Sequence, residues 1–86
     1  MKNKYTEEKH YYNTNKIRCY YRLLNGKYHG YQELYYHNGN LDALFHYKNN
    51  NMYGDQKSYY MNGNLWSHYK GYNNKREGIE IRYYKK

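Results

Sequence analysis

Apolar and polar positions alternate along this chain with a period of two, in short runs closed by asparagine-bearing pairs. In Leu41-Asp42-Ala43-Leu44-Phe45-His46-Tyr47-Lys48, Leu41, Ala43, Phe45 and Tyr47 fall on one side and Asp42, His46 and Lys48 on the other. That pattern belongs to a half-buried strand, and no stretch shows the 3.6-residue spacing of an amphipathic helix. The corners are Thr14-Asn15, Asn25-Gly26, Asn38-Gly39, Asn49-Asn50, Asn62-Gly63 and Asn73-Asn74, separated alternately by 11 and 13 residues. All are residue types that tolerate positive φ, and Asn-Gly favours the two-residue type I′ hairpin turn. The spacing predicts an all-β, single curled antiparallel meander of about seven strands: 5–13, 16–24, 27–37, 40–48, 51–61, 64–72 and 75–84.

The pattern also repeats. Gly30, Gly54 and Gly78 lie 24 residues apart, as do Tyr11-Tyr12, Tyr35-Tyr36, Tyr59-Tyr60 and Tyr83-Tyr84, and the two Asn-Gly-Asn-Leu segments that contain Gly39 and Gly63. The chain, 1–86, reads as one domain of three copies (6–29, 30–53 and 54–77) and a half copy (78–86), without a linker. Two-residue turns would place Tyr36 opposite Leu41, Leu34 opposite Ala43 and Gln32 opposite Phe45. They would also place Tyr21, Phe45 and Tyr69 opposite Gly30, Gly54 and Gly78, a ring over each bare glycine. One face then carries Tyr12, Ile17, Cys19, Tyr21, Leu23, Tyr28, Leu34, Tyr36, Leu41, Ala43, Phe45, Tyr47, Met52, Tyr60, Leu65, Tyr69 and Tyr84. The other mixes Tyr11, Tyr35, Tyr59 and Tyr83 with charged residues such as Lys9, Arg22, Glu33, Asp55 and Lys70. No helix remains to cover the apolar face.

The unit Gly-x4-Tyr-Tyr-x-Asn-Gly-x-Leu, with a following aromatic and an Asn-rich turn, resembles the MORN repeat, in particular its longer variant often labelled antitoxin-like. The resemblance covers about residues 6–84, although the several glycines per unit of the usual MORN pattern are absent. It implies a curled β-meander that serves as a scaffold or docking surface, with phospholipid binding also proposed for the family. It brings no catalytic residue to this chain.

Composition alters this picture in two ways. Leu, Ile, Val and Phe supply only ten residues, which would suggest disorder, but tyrosine supplies 17, each ring able to bury on the order of 150–250 Å². The formal net charge is +8, which attracts phosphate. No apolar run is long enough to span a membrane as a helix. The start Met1-Lys2-Asn3-Lys4-Tyr5 predicts no signal peptide. With a single cysteine, Cys19, the expected compartment is reducing: the cytoplasm, or the inside of a particle assembled there. The wealth of Lys, Asn and Tyr suggests an AT-rich genome.

Candidate chemistry is sparse. His10, His29, His37, His46, His68 and Cys19 include no pair at metal-ligand spacing. Cys19 falls on the apolar face, away from any base that could activate it. Glu33, Asp42 and Glu80 have basic residues near enough for ion pairs. The glycines, Gly30, Gly39, Gly54, Gly63 and Gly78, punctuate the repeat instead of forming a phosphate loop. The expectation is a non-enzymatic module with no metal, cofactor or small-molecule substrate. An uncovered sheet face marks an interaction site, so the expected partner is a protein or a second copy, contacted through Tyr12, Tyr36, Leu41, Phe45, Tyr60, Leu65 and Tyr69 and the strand edges. Ile79 and Ile81, on the otherwise polar face, suggest a further contact at the last strand. The alternatives are nucleic acid, bound without sequence preference by a basic, tyrosine-rich sheet, and an anionic membrane surface, for which no amphipathic helix or lipidation signal is present.

Overall fold

The computed structural model describes residues 2–13 and 15–82, with Gly78 and Ile79 described by their backbone alone. The strands are β1 (Tyr5–Tyr11), β2 (Ile17–Leu24), β3 (Lys27–Tyr28), β4 (Gly30–Tyr35), β5 (Leu41–Lys48), β6 (Asn51–Met52), β7 (Gly54–Tyr59), β8 (Leu65–Tyr72) and β9 (Lys75–Arg82). They form one antiparallel sheet in the order β1-β2-β4-β5-β7-β8-β9, with β3 on β2 and β6 on β5. The protein is thus an all-β open meander, and no helix occurs among the described residues.

Two kinds of corner alternate, one at each side of the sheet. At Asn25-Gly26, Asn49-Asn50 and Asn73-Asn74 both residues have positive φ, between 50° and 82°, as a two-residue type I′ turn requires. The Asn38-Gly39 corner differs from the expected type I′ turn. Gly39 N–H donates to the Tyr36 carbonyl (3.0 Å) and Tyr36 N–H to the Asn40 carbonyl (2.9 Å), while only Gly39 has positive φ, at 89°. This is a type I turn ending in a glycine bulge, and the Asn38 side chain secures it by accepting from Asn40 N–H (2.9 Å). The extra residue shifts the register, so Leu41 faces Tyr35 and not Tyr36. The Gly63 corner has the same bonds. Beyond the bulge, Leu34 opposite Ala43 and Gln32 opposite Phe45 are as expected.

A second departure comes at the repeat glycines. The runs 27–37 and 51–61 are each broken, at His29 and Tyr53. Gly30 and Gly54 carry φ of 95° and 83°, which only glycine adopts at little cost, and there the strand swings away from its predecessor. Between the pairs Leu44/Lys57 and Tyr47/Met52, β5 has two residues where its partner has four. Phe45 is therefore not opposite Gly54. The ring that meets Gly54 is that of His46, whose Nδ1 lies 2.9 Å from where a Cβ would stand, and at Gly30 the neighbour is Arg22, with Cδ at 3.8 Å. The surroundings of Gly78, the third expected pair with Tyr69, lie outside the described residues.

The gap left by the swing is filled by a side chain. Gln56 accepts from His46 N–H (3.0 Å) and donates to the His46 carbonyl (2.8 Å). Gln32 does the same for Arg22, at 2.7 and 3.0 Å. An amide has one acceptor and a donor group in the geometry of a peptide, so it replaces the missing ladder residue. In the last copy this position is Glu80, which has no N–H to give; it accepts instead from Arg76 (2.6 Å) and Arg82 (3.1 Å).

The interior is a narrow column, not a core. Cys19, Ala43 and Ser67, at equivalent places in successive copies, are buried together with Gln32 and Gln56. Copies are further tied by Tyr12 and Tyr36, whose hydroxyls donate to the carbonyls of Tyr35 (2.5 Å) and Tyr59 (2.6 Å). Corner asparagines add backbone links, Asn50 N–H to the Tyr28 carbonyl and Asn74 N–H to that of Met52. The sheet measures 50 × 39 × 12 Å with a radius of gyration of 14.2 Å, against about 12 Å for a compact chain of this length. Its accessible surface is 6486 Å², where a compact monomer of this mass shows about 5,500 Å². The excess is the mark of a sheet without a second layer.

Candidate interaction face

Residues directly opposite on neighbouring strands share a face. The pairs Cys19/Leu34, Leu34/Ala43, Gln32/Phe45 and Gln56/Tyr69 therefore gather the apolar residues on one side, as the alternation predicts. Along it runs a tilted row of rings, with Tyr21 and Tyr28 5.4 Å apart and Tyr28 and Tyr47 5.8 Å apart. These three, with Gln32, Leu34 and Phe45, line a cleft of about 230 Å³. A hydrogen bond with Cys19, and then burial, push the Tyr21 hydroxyl up to about 12. Burial raises that of Tyr47, with Tyr69 and Tyr28 adding to it. Tyr21 and Tyr47 are thus held protonated, and the row offers hydroxyls on an otherwise apolar surface.

The expected contact residues divide into two groups. Leu41, Phe45, Leu65 and Tyr69 are half-buried on this face. Tyr12 and Tyr36 are occupied as links between copies; the Tyr12 ring also stacks on His37 at 3.7 Å, and the Tyr60 ring meets Trp66 edge-on at 6.4 Å. The Arg76 guanidinium lies 4.5 Å from the Tyr69 ring centroid and closes that end of the face. Tyr21, Tyr28 and Tyr47 carry more of the cleft than the expected set does. Their place on the apolar side was legible in the alternation, but their convergence depends on the strand swing at Gly30. Met52 packs on Gly71, where a Cβ would come within 2.3 Å of its Cγ.

The opposite face is polar and largely self-neutralised. Arg22 pairs with Glu33 at 2.9 Å, and the Tyr35 hydroxyl donates to the same carboxylate at 2.7 Å, which holds Tyr35 protonated up to about 12. Asp55 meets His68 at 3.0 Å and Lys70 at 3.9 Å; the His68 hydrogen bond first, then Lys70, hold its carboxyl below the usual range. Ile81 stands opposite His68 on this face and is exposed, whereas the Ile79 side chain lies outside the described residues. Among the described residues no three His, Cys, Asp or Glu side chains gather in one place. Cys19 is buried in the small-residue column, the surroundings of a packing residue.

No family model, no curated protein and no solved structure matches this chain.

Proposed function

We propose that the chain is a non-enzymatic repeat module of the MORN type that docks a protein across its apolar face. The observation that carries this reading is the uncovered sheet: every strand lies in one layer, and Leu41, Phe45, Tyr47 and Leu65 remain half-buried with no second layer of the described residues above them. An apolar patch of this kind on a protein surface marks a site of association. The tyrosine row adds rigid rings with polar tips, the side chains favoured where interfaces hold their binding energy. A net charge of +8 opposes close approach of a second copy, so the reading takes a different chain as the partner, one that lays an apolar element along the Tyr21–Tyr47 row.

The test is capture from an extract of the native source, washed in salt steps up to about 0.5 M, where contacts between exposed charges are screened. A partner held by the apolar face stays bound through that range, and it is lost to the Phe45→Lys variant. Capture that dissolves with salt, or that Phe45→Lys leaves intact, refutes the reading.

A further inference from the structure

Lys4, Lys27, Lys48 and Lys75 all sit at the side of the sheet that holds the type I′ corners. Lys27 and Lys75 each follow a corner, Lys48 precedes one, and the Lys4 carbonyl accepts from Asn25 N–H of the first corner (2.8 Å). Segments 2–6, 23–28, 47–52 and 71–76 contain no Asp or Glu. All four lysines are exposed, and no ion pair among the described residues involves any of them. With strands about 4.8 Å apart, they form a basic row along one edge, while the carboxylates of the sheet lie inward. The nearest acid on β7, Asp55, is taken up by His68 and Lys70.

Just inside this row the polar face bears a second line of rings. Tyr31 stacks on His46 at 4.5 Å and 17°, His46 meets Tyr53 at 6.1 Å, and Tyr53 lies 6.2 Å from Tyr72. Tyr31, Tyr53 and Tyr72 are 45%, 40% and 51% exposed, too open to be packing residues. Tyr53 and Tyr72 wall a cleft of about 280 Å³ with Lys48, Met52 and corner asparagines. Lys48 Nζ stands 5.3 Å from the Tyr53 ring centroid, and Lys75 is directly opposite Tyr72. Each exposed ring of the cleft thus has a lysine as a neighbour, over the ring at Tyr53 and across the strands at Tyr72.

We propose that this edge binds single-stranded nucleic acid, with bases stacked on Tyr31, Tyr53 and Tyr72 and the phosphate backbone following Lys27, Lys48 and Lys75. Stacking rings beside a track of positive charge are what sequence-tolerant single-strand binding requires. A duplex hides its base faces and would engage the lysines alone. An anionic lipid surface would attract the lysines but offers no flat base to stack on the ring line. The site is on the face opposite the proposed protein-docking surface and does not depend on it.

The test is fluorescence anisotropy with a labelled oligothymidylate of about 12 nucleotides, the same length of duplex, and phosphatidylserine vesicles. Tyr53→Ala and Tyr72→Ala each weaken oligothymidylate binding by roughly 5- to 150-fold, whereas Tyr53→Phe retains it. Replacing Lys27, Lys48 and Lys75 together by Gln lowers the slope of log affinity against log salt by about 2. The two tyrosines are exposed, so unfolding curves of the variants overlay the wild type. The proposal falls if the oligonucleotide does not bind at about 50 mM salt. It also falls if duplex or vesicles bind as tightly as the single strand, or if the alanine variants bind like the wild type. Equal loss on replacing Lys9 and Lys57 instead of the edge lysines would likewise overturn it.

Discussion

The side-chain amide of Gln56 stands in for a strand residue opposite His46, accepting from its N–H and donating to its carbonyl at 3.0 and 2.8 Å. Gln56 is fully buried, at 0% exposure, and the His46 N–H depends on it, while the His46 carbonyl also accepts from Tyr53 N–H (2.9 Å). Gln56→Leu preserves the volume and removes both bonds. With the His46 N–H left buried and unpaired, the variant should lose roughly 1–3 kcal/mol, read by chemical denaturation. Gln56→Glu keeps the acceptor and sets a carboxylate against the His46 carbonyl. It should be destabilised at pH 7 and regain part of the loss, relative to wild type, below about pH 4, where the protonated acid again has a hydrogen to donate.

Gly54 and Gly39 separate two costs of adding a methyl group. Both have strongly positive φ, 83° and 89°, so alanine at either carries the left-handed backbone penalty of roughly 1–2 kcal/mol. At Gly39 nothing lies within 4 Å of the new Cβ, but at Gly54 it would stand 2.9 Å from His46 Nδ1. Gly54→Ala should therefore cost more than Gly39→Ala in thermal unfolding. Equal losses would remove the His46 ring from the description of that bulge.

Much of this architecture is legible in the chain. The Asn49-Asn50 and Asn73-Asn74 corners, the 24-residue period and the Leu34/Ala43 register follow from alternation and turn chemistry alone. The expected Phe45–Gly54 contact fails because alternation assumes an unbroken ladder, and a polar side chain that imitates backbone leaves the period-two pattern unchanged. The signal was nonetheless present: Gln32, Gln56 and Glu80 occur two residues after each repeat glycine, at inward positions where a polar residue needs a reason. The Asn38-Gly39 corner misleads for another cause. Asn-Gly suits both a two-residue turn and the end of a longer one, and only the bonds around Tyr36 decide between them. On the candidate face, the apolar side was readable, but the burial of the Tyr12 and Tyr36 hydroxyls in links between copies was not, since these bonds join residues 23 positions apart.

Those links should carry measurable stability. Tyr36→Phe removes one hydroxyl and leaves the Tyr59 carbonyl without its donor, a loss of about 0.5–1.5 kcal/mol in denaturant unfolding. The ring remains in place, so the far-ultraviolet spectrum should be unchanged.

Alkaline pH should weaken the fold in a defined window. The Glu33 carboxylate, accepting a hydrogen bond from the Tyr35 hydroxyl, and then burial, hold Tyr35 protonated up to about 12, whereas a tyrosine in the unfolded chain ionises near pH 10. The folded state thus keeps a proton that the unfolded state gives up. The resulting stabilisation is complete below pH 10 and is lost as the pH rises through about 12. Tyr35→Phe should make this limb of the stability curve shallower between pH 10 and 12, Tyr21 supplying part of what remains, without altering its slope near neutrality.

The claim on which the docking account rests is that the apolar face has no second layer, and solution scattering from the purified monomer, extrapolated to zero concentration, measures this most directly. An open sheet gives a flattened particle with a radius of gyration of at least 14.2 Å. A globular profile with a value near 12 Å, as for a compact chain of 86 residues, would mean that the face is closed on itself and contradict the account.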